Sequence, residues 1–451
     1  MKKALTQEER TNQLLTEPVD KLILSLAGPS VLSMLITSIY NMADTFFVSQ
    51  LGTSASAAVG VTFSMMTIVQ AFAFMIGQGC GNNMSRELGA GNRAEAEKYV
   101  AICFFTELIV GTILAAFSLI TLNRLVYWLG ATDTIAPYAK DYAMWIAGGF
   151  PFIMASFGLN NILRFQGNAS LGAIGMMTGG ILNMVLDPVF IFVFKLGTAG
   201  AAIATTLSQI ISFTILTRLS NNSPQSIKIE LKNFKPTLRL YGKIAHIGLP
   251  SLARQGIMSV SNIIFNHAAG PFGDACIAAF SIVNRYMGVM GSVVIGIGQG
   301  FQPVCGQNIG AGKKARVRDA YDFLLKSTFI VLSVLALISF AFAPGIIKIF
   351  RKDDLEVLSI GTKLLRYEAV TLPLFAVISS ANMFSQTMGF GVKASVIASL
   401  KSGFCLIPLV LILPKFLAVD GLIYAQPLAD IMAAIAGFLL IRPALLSLKK
   451  E

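Results

Sequence analysis

Residues Ile102 to Leu122 read ICFFTELIVGTILAAFSLITL, an apolar run with a single charge, Glu107. One crossing of a bilayer needs about 20 such residues at 1.5 Å each. Comparable runs recur along the chain, clearly at Phe329 to Phe350 and Leu422 to Ile441. Of the 451 residues, 55% are hydrophobic and only 13% are charged. Soluble domains carry roughly 25% charged residues. So few charges cannot cover a soluble fold, and lipid must be the solvent for most of the surface. The chain therefore reads as an all-α integral membrane protein.

The same reading outward predicts about twelve transmembrane helices, near residues 18–50, 55–86, 96–121, 138–163, 169–194, 199–219, 243–269, 275–306, 317–343, 357–388, 393–413 and 418–443. The first 21 residues are polar and lack the apolar core of a signal peptide. Thr16-Glu17-Pro18 reads as the capped start of helix 1. The longest polar stretch, Ser220 to His246, is the natural linker between two halves. This divides the chain into an N-terminal lobe (1–219), a cytoplasmic linker (220–243) and a C-terminal lobe (244–451).

The halves are related by one offset. Adding 221 takes Pro29-Ser30 to Pro250-Ser251, Asn41 to Asn262 and Gly52 to Gly273. It takes Gly77-Gln78-Gly79 to Gly298-Gln299-Gly300, Gly89-Ala90-Gly91 to Gly310-Ala311-Gly312, and Gly200 to Gly421. A constant offset over much of each half indicates internal duplication. Six helices per repeat, an even number, give both halves the same orientation and two pseudo-symmetric bundles related by an axis along the membrane normal. Such paired repeats are typical of transporters that rock one bundle against the other.

The net charge of +12 is read as basic cytoplasmic loops, because no aromatic-interleaved basic stripe accompanies it; nucleic acid is not expected as a partner. Arg93 and Lys98 follow helix 2, Lys228, Lys232, Lys235 and Arg239 follow helix 6, and Lys313, Lys314, Arg316 and Arg318 follow helix 8. Lys2, Lys3 and Arg10 lie at the N-terminus and Lys449 and Lys450 at the C-terminus. Both termini are therefore expected in the cytoplasm. Lys348, Arg351 and Lys352 fall on the other side, followed by Asp353, Asp354 and Glu356, and are treated as an exception.

Enzyme motifs are scarce. The only histidines are His246 and His267, and there is no H-E-x-x-H. Gly306 to Lys314 resembles a phosphate loop only superficially, since Lys314 stands where a Ser or Thr should bind magnesium. The repeated Gly-Ala-Gly segments read as tight connections between helices. Cys80, Cys103, Cys276, Cys305 and Cys405 form no CxxC pair and read as small packing residues. No enzymatic activity and no cofactor are expected.

Intramembrane acids are the sharpest signal. Each ionised carboxylate at mid-bilayer costs roughly 2.5–3.5 kcal/mol on insertion scales, so its presence needs a reason. Asp44 lies in helix 1, with Tyr40 one turn earlier on the same face; Asp187 lies in helix 5, with Asn183 one turn earlier. Pro188 lacks an N–H and so leaves the Met184 carbonyl without its helical donor. Two carboxylates, an amide and a spare carbonyl are hard oxygen ligands suited to a small cation, and the carboxylates can equally bind protons. The plainer alternative is that each acid is satisfied by its neighbours and only holds helices together. Glu107 and Glu368 could serve as ligands, but read first as acids near helix ends or paired with a base, and Arg254 and Arg285 as structural ion pairs or hydrogen-bonded anchors. Some methionines and phenylalanines should line a cavity that accepts varied apolar ligands.

Several segments together resemble one family. Tyr40-Asn41-Met42-Ala43-Asp44-Thr45-Phe46-Phe47-Val48 with Leu51-Gly52 is similar to helix 1 of the multidrug and toxic compound extrusion (MATE) transporters. Gly89-Ala90-Gly91 with Arg93 and Ala94 resembles their first cytoplasmic turn, and Arg164-Phe165-Gln166-Gly167-Asn168 their turn after helix 4. Asn183-Met184-Val185-Leu186-Asp187-Pro188 resembles their helix 5, and Gly248-Leu249-Pro250-Ser251 the start of their helix 7. The resemblance spans nearly the whole chain and is strongest to the DinF-type branch and its MepA-like drug exporters. It implies two six-helix lobes forming a V, export of lipophilic and often cationic compounds, and coupling to Na+ or H+. The cation site of that branch maps onto Asp44, Asn183, Asp187 and Thr205, with Tyr40 and Tyr142 nearby. Asn160 matches as well, although counting along helix 4 sets it nearer the cytoplasmic end. Pro29 matches the proline at which helix 1 is proposed to bend. The C-lobe site of another branch uses helix-7 acids; here that helix offers Arg254 and no carboxylate.

The expectation is thus a secondary active exporter acting by alternating access, a monomer in a bacterial or archaeal plasma membrane, with drug-like small molecules and membrane lipids as its partners. A flippase for a lipid-linked oligosaccharide or other amphipathic anion would share this architecture. Arg254 and Arg285 favour that alternative, while Asp44 and Asp187 oppose it.

Overall fold

A computed structural model describes residues 5–351 and 354–448. Lys2, Lys3, Lys352, Asp353, Lys449 and Lys450, used above to orient the chain, lie outside the described residues.

The described chain is built from long helices. Helix 1 spans Val19–Ser49, helix 2 Thr53–Gly89, helix 3 Arg93–Ile120, helix 4 Ala136–Phe165, helix 5 Ala169–Pro188 and helix 6 Gly197–Asn222. Helix 7 spans Leu238–Ala269, helix 8 Asp274–Gly310 and helix 9 Lys314–Phe350. Helix 10 is interrupted by a tight turn, Leu372–Leu374, which divides it into Leu355–Thr371 and Phe375–Thr387. Helix 11 runs from Gly391 to Ile412 through a wide π turn at Leu400–Cys405. Helix 12 is assigned Pro414–Ser447, but Ala418 has φ 49°, so the chain turns there and the long helix begins beyond it.

Eleven of these segments are long and apolar enough to cross a membrane, among the described residues. Helix 7 is long enough but too polar, with Arg254, Gln255, Ser259, Asn262 and Asn266 along it. Its polarity has a cause. It packs against helix 2 at its first turns and exposes Ser259, Asn262 and Asn266 further on. Helix 7 also starts at Leu238, capped by the Thr237 hydroxyl, which accepts from the Leu240 N–H at 3.3 Å. That is earlier than residue 243, because Thr237 supplies a cap inside the polar linker.

One apolar core lies within each lobe, and the two exchange elements at the seam: Leu22, Ile23 and Leu26 of helix 1 are buried in the C-lobe core, and Ile244 of helix 7 in the N-lobe core. The lobes meet along helix 1 against helix 8 and helix 2 against helix 7. Their contact follows the duplication. Gly89 abuts the backbone of Gln307, and Gly310 abuts that of Arg86 in return. Each member of the first pair becomes its counterpart in the second by the offset of 221.

A short amphipathic helix, Gln7–Thr16, precedes helix 1. It opens on a capping box, in which the Thr6 hydroxyl accepts from the Glu9 N–H and the Glu9 carboxylate from the Thr6 N–H. It lies across both lobes. Arg10 donates to the Gly167 carbonyl at 2.7 Å on the N-lobe, and the Leu14 carbonyl accepts from Asn308 of the C-lobe at 2.9 Å. This end of the molecule, with the linker and the loops at Arg93 and Lys313, is called the basic end below.

Candidate functional site

The site sits where helices 1, 4, 5 and 6 converge inside the N-lobe. Asn183 and Asp187 are four residues apart on helix 5 and share a face. The Asn183 amide donates to Asp187 Oδ1 at 2.9 Å and to Thr205 Oγ1 at 3.0 Å. All three are buried. Helix 1 brings Asp44 and Tyr40 to the same place: Tyr40 packs on Gly180 of helix 5, and Asp44 lies one turn beyond it. Buried Tyr142 of helix 4 and Tyr40 are both within electrostatic reach of Asp44 and Asp187, and the two carboxylates are within reach of each other.

The hydrogen-bond accounting leaves acceptors without donors. Asp44 Oδ1, Asp187 Oδ2 and Asn183 Oδ1 are enclosed and have no hydrogen-bond partner. An unpartnered buried polar oxygen is costly, about 1–3 kcal/mol, more when charged. Three such oxygens in one place, with the Thr205 hydroxyl beside them, form a ligand set that a small hard cation or a proton would complete. Among the described residues no group of three or more His, Cys, Asp or Glu side chains is placed to hold a metal ion. Pro188 ends the regular part of helix 5, and the chain continues as a π turn, Val189–Val193. Losing one N–H lets the ladder slip, and such turns are frequent at functional sites.

Two of the residues singled out in the sequence fall elsewhere. Asn160 is buried against Gly172, near the start of helix 5. Gly172 lies fifteen residues before Asp187, about 22 Å along a helix, so Asn160 is not brought into the cluster. Helix 1 passes through Pro29 without a break.

Other charged groups were not assigned correctly by sequence alone. Arg254 is partly buried and Arg285 exposed, and neither has an ion-pair or hydrogen-bond partner among the described residues. The expected structural ion pairs are absent there. Arg285 lies seven residues from Ser292, on the same face of helix 8, and the Ser292 hydroxyl meets that of Ser38 across the lobe boundary at 2.9 Å. Arg285 therefore faces the space between the lobes. Glu107 is fully buried in helix 3, with the Cys103 thiol 3.9 Å from its carboxylate and Gly158 packed against it.

Arg164, read in the sequence only as part of a turn, is 1% exposed and reaches the other lobe. It donates to the Gln299 carbonyl at 3.2 Å, to Gln302 Oε1 at 3.0 Å and to Asn161. All hydrogen bonds between the lobes, among the described residues, lie at Ser38–Ser292 or on its basic side. Beyond that pair the facing stretches, including Asn262, Asn266, Arg285 and Gly288, are exposed. The lobes are thus tied together at the basic end, and the stretches beyond the Ser38–Ser292 pair carry no hydrogen bond between lobes among the described residues.

Comparison with known proteins agrees with this arrangement. The MatE family model matches twice, at residues 29–189 and 250–412, two matches that begin 221 residues apart. A protein named FAD transporter from Shewanella oneidensis is 27% identical over 95% of each chain. The multidrug export protein MepA of Staphylococcus haemolyticus is 23% identical over 93% of each. A solved structure described as the outward-facing conformation of a multidrug resistance MATE family transporter superimposes with a TM-score of 0.92 at 26% identity. It covers 97% of this chain and 98% of its own.

Proposed function

The chain belongs to the MatE family of membrane transporters, and from that premise we propose that it is a cation-coupled exporter of small lipophilic, often cationic compounds. The observation that carries the reading is the set of enclosed oxygens without donors at Asp44, Asp187 and Asn183, beside Thr205. Na+ or H+ entering this set would satisfy them and remove the cost of buried charge. Drug and ion then compete for one N-lobe state, and release of one favours binding of the other. The name of the staphylococcal relative, multidrug export protein, supports the substrate class.

In this reading the basic end is cytoplasmic, both termini lie inside, and the cleft opens outward from a bacterial or archaeal plasma membrane. The transporter works as a monomer, surrounded by lipid. Opening inward requires breaking the Arg164 contacts and lifting the Gln7–Thr16 helix, with Pro29 as the bend in helix 1. The test is efflux of ethidium from proteoliposomes under separately imposed sodium and proton gradients. Efflux driven by one gradient and abolished by Asp187→Asn supports the reading; efflux indifferent to both gradients sinks it.

A second reading has its own observation. Arg285 faces the cleft without a partner, and a relative at 27% identity is named FAD transporter. An amphipathic anion, a dinucleotide or a lipid-linked oligosaccharide, would suit such a wall. Export of FAD that is lost in Arg285→Ala while ethidium efflux persists would favour it.

A further inference from the structure

The C-lobe holds a second constellation of ionisable groups in the middle of its helices. Lys401 lies in the π turn of helix 11, halfway along that helix, and Asp430 halfway along helix 12. The Lys401 ammonium is 3.0 Å from Asp430 Oδ1 and stands over the Phe375 ring at 4.5 Å. Gln426 also donates to Asp430 Oδ1 at 3.3 Å, and the Thr371 hydroxyl donates to Oδ2 at 3.2 Å. Each Asp430 oxygen thus has a partner, the Thr371 hydroxyl sharing its one proton between Oδ2 and the Glu368 carbonyl at 3.3 Å.

Glu368 stands one turn before Thr371 on helix 10. It is 7% exposed, and its carboxyl has no hydrogen-bond or ion-pair partner among the described residues. Lys401 and Asp430 are the charged groups that act on it; helices 8 and 9, also packed against helix 10, bring no acid or base that does. These helices, 10 to 12, are the repeat counterparts of 4 to 6, and Gln426 stands at the position of Thr205 plus 221.

The charges decide the chemistry. Lys401 and Asp430 neutralise each other, so an ionised Glu368 leaves one uncompensated negative charge in mid-span. That costs roughly 2.5–3.5 kcal/mol on insertion scales. A metal ion drawn to Glu368 would have to sit close to the Lys401 ammonium, which repels it. A proton on the carboxyl removes the charge without needing further ligands. We propose that Glu368, set beside the Lys401–Asp430 ion pair, is a proton-binding site in the C-lobe, separate from the N-lobe acids. It takes a proton from hydronium when water reaches it and returns the proton to water when the lobe rearranges, the carboxylate and carboxylic acid being its two forms.

The experiment is infrared difference spectroscopy of the full protein in proteoliposomes, stepped from alkaline to acid buffer, read at the carboxylic-acid carbonyl stretch. Glu368→Gln keeps the shape of the side chain and should remove one such band. Ethidium efflux driven by a proton gradient should fall about tenfold, an ordinary size for coupled sites. An unchanged band pattern in Glu368→Gln overturns the proposal, as does a Glu368-dependent band that follows added sodium at fixed pH. If Glu368→Gln fails to fold, Asp430→Asn serves. It frees Lys401 to pair with Glu368, so the same band should vanish, and its persistence overturns the proposal. Asp187→Asn should leave the Glu368 band in place, so failure of the N-lobe reading is told apart from failure of this one.

Discussion

Gly89 of helix 2 and Gly310 of helix 8 each rest on the backbone of the opposite lobe: a Cβ on Gly89 would meet the Gln307 carbonyl oxygen at 1.9 Å, and one on Gly310 the Arg86 carbonyl oxygen at 2.0 Å. The two contacts are images of each other under the repeat. A single methyl at either place cannot be accommodated by a side chain moving aside, because the obstacle is backbone. Gly89→Ala or Gly310→Ala should therefore push the lobes apart at the basic end, at a cost of about 1–3 kcal/mol typical of overpacking. Spin labels on the loops at Arg93 and Lys313 should report longer distances than in wild type. Unaltered distances would mean that the helices yield locally and that the seal does not depend on this approach.

Arg164 makes the same seal by polar means. Its guanidinium bridges Asn161 of its own helix to Gln299 and Gln302 of helix 8. Arg164→Gln loses charged hydrogen bonds worth about 1.5–3 kcal/mol each in buried settings, partly offset by entering water. The expected outcome is a shift toward the state open at the basic end, seen as faster modification of a cysteine placed at Ser85. Deleting residues 1–17 should act in the same direction, since it removes the bonds of Arg10 and Leu14 that tie the lobes. Modification rates equal to wild type in both variants would show that the seal is held elsewhere.

Much of this was legible in the sequence, and the reasons are specific. Long apolar runs locate helices well: helix 1 is expected at 18–50 and found at Val19–Ser49. The Asn183–Asp187 pair was legible because four-residue spacing on a helix is itself geometry. The fit of Gly89 and Gly310 to the other lobe was not. They read as turn residues, whereas the left-handed turns are made by Gly91 (φ 80°) and Gly312 (φ 73°). Lys401 and Asp430 escaped notice for a related reason. Each is a lone charge in its own helix, and one sequence does not say which helices are neighbours. Glu368 reads in the sequence as an acid near a helix end or paired with a base; a base is near, but it is committed to Asp430.

Topology gives a direct check on the charge reading. The loops at Gly89 and Lys313 should be cytoplasmic and the turn at Gly273 external. A cysteine introduced at Gly273 of a background without native cysteines should react with an impermeant maleimide added to intact cells. One introduced at Lys313 should react only after the cells are opened. The reverse pattern would invert the protein in the membrane and make the sealed end the outer one.

The N-lobe acids give the sharpest outcome. Asp187→Asn and Asp44→Asn should each abolish ion-coupled efflux while expression and folding stay close to wild type. Asn has nearly the size of Asp and carries no charge, so burying it among Tyr40, Tyr142 and Thr205 is easier, not harder. At Asp187 the Asn183 amide loses a charged acceptor but still finds a carbonyl oxygen and the Thr205 hydroxyl. Packing is thus preserved. Exchange is not, because a neutral amide neither binds sodium as a carboxylate does nor takes up a proton. Asn183→Ala and Thr205→Ala each remove one neutral oxygen and should weaken ion dependence more mildly, raising the ion concentration for half-maximal efflux by roughly fivefold, the low end of a typical coupling. The measurement is gradient-driven ethidium efflux with thermal melting of the same preparations. Full coupled efflux by Asp187→Asn would take helix 5 out of the mechanism. A loss of efflux matched by a loss of folded protein would instead assign the acids to holding helices 1, 5 and 6 together.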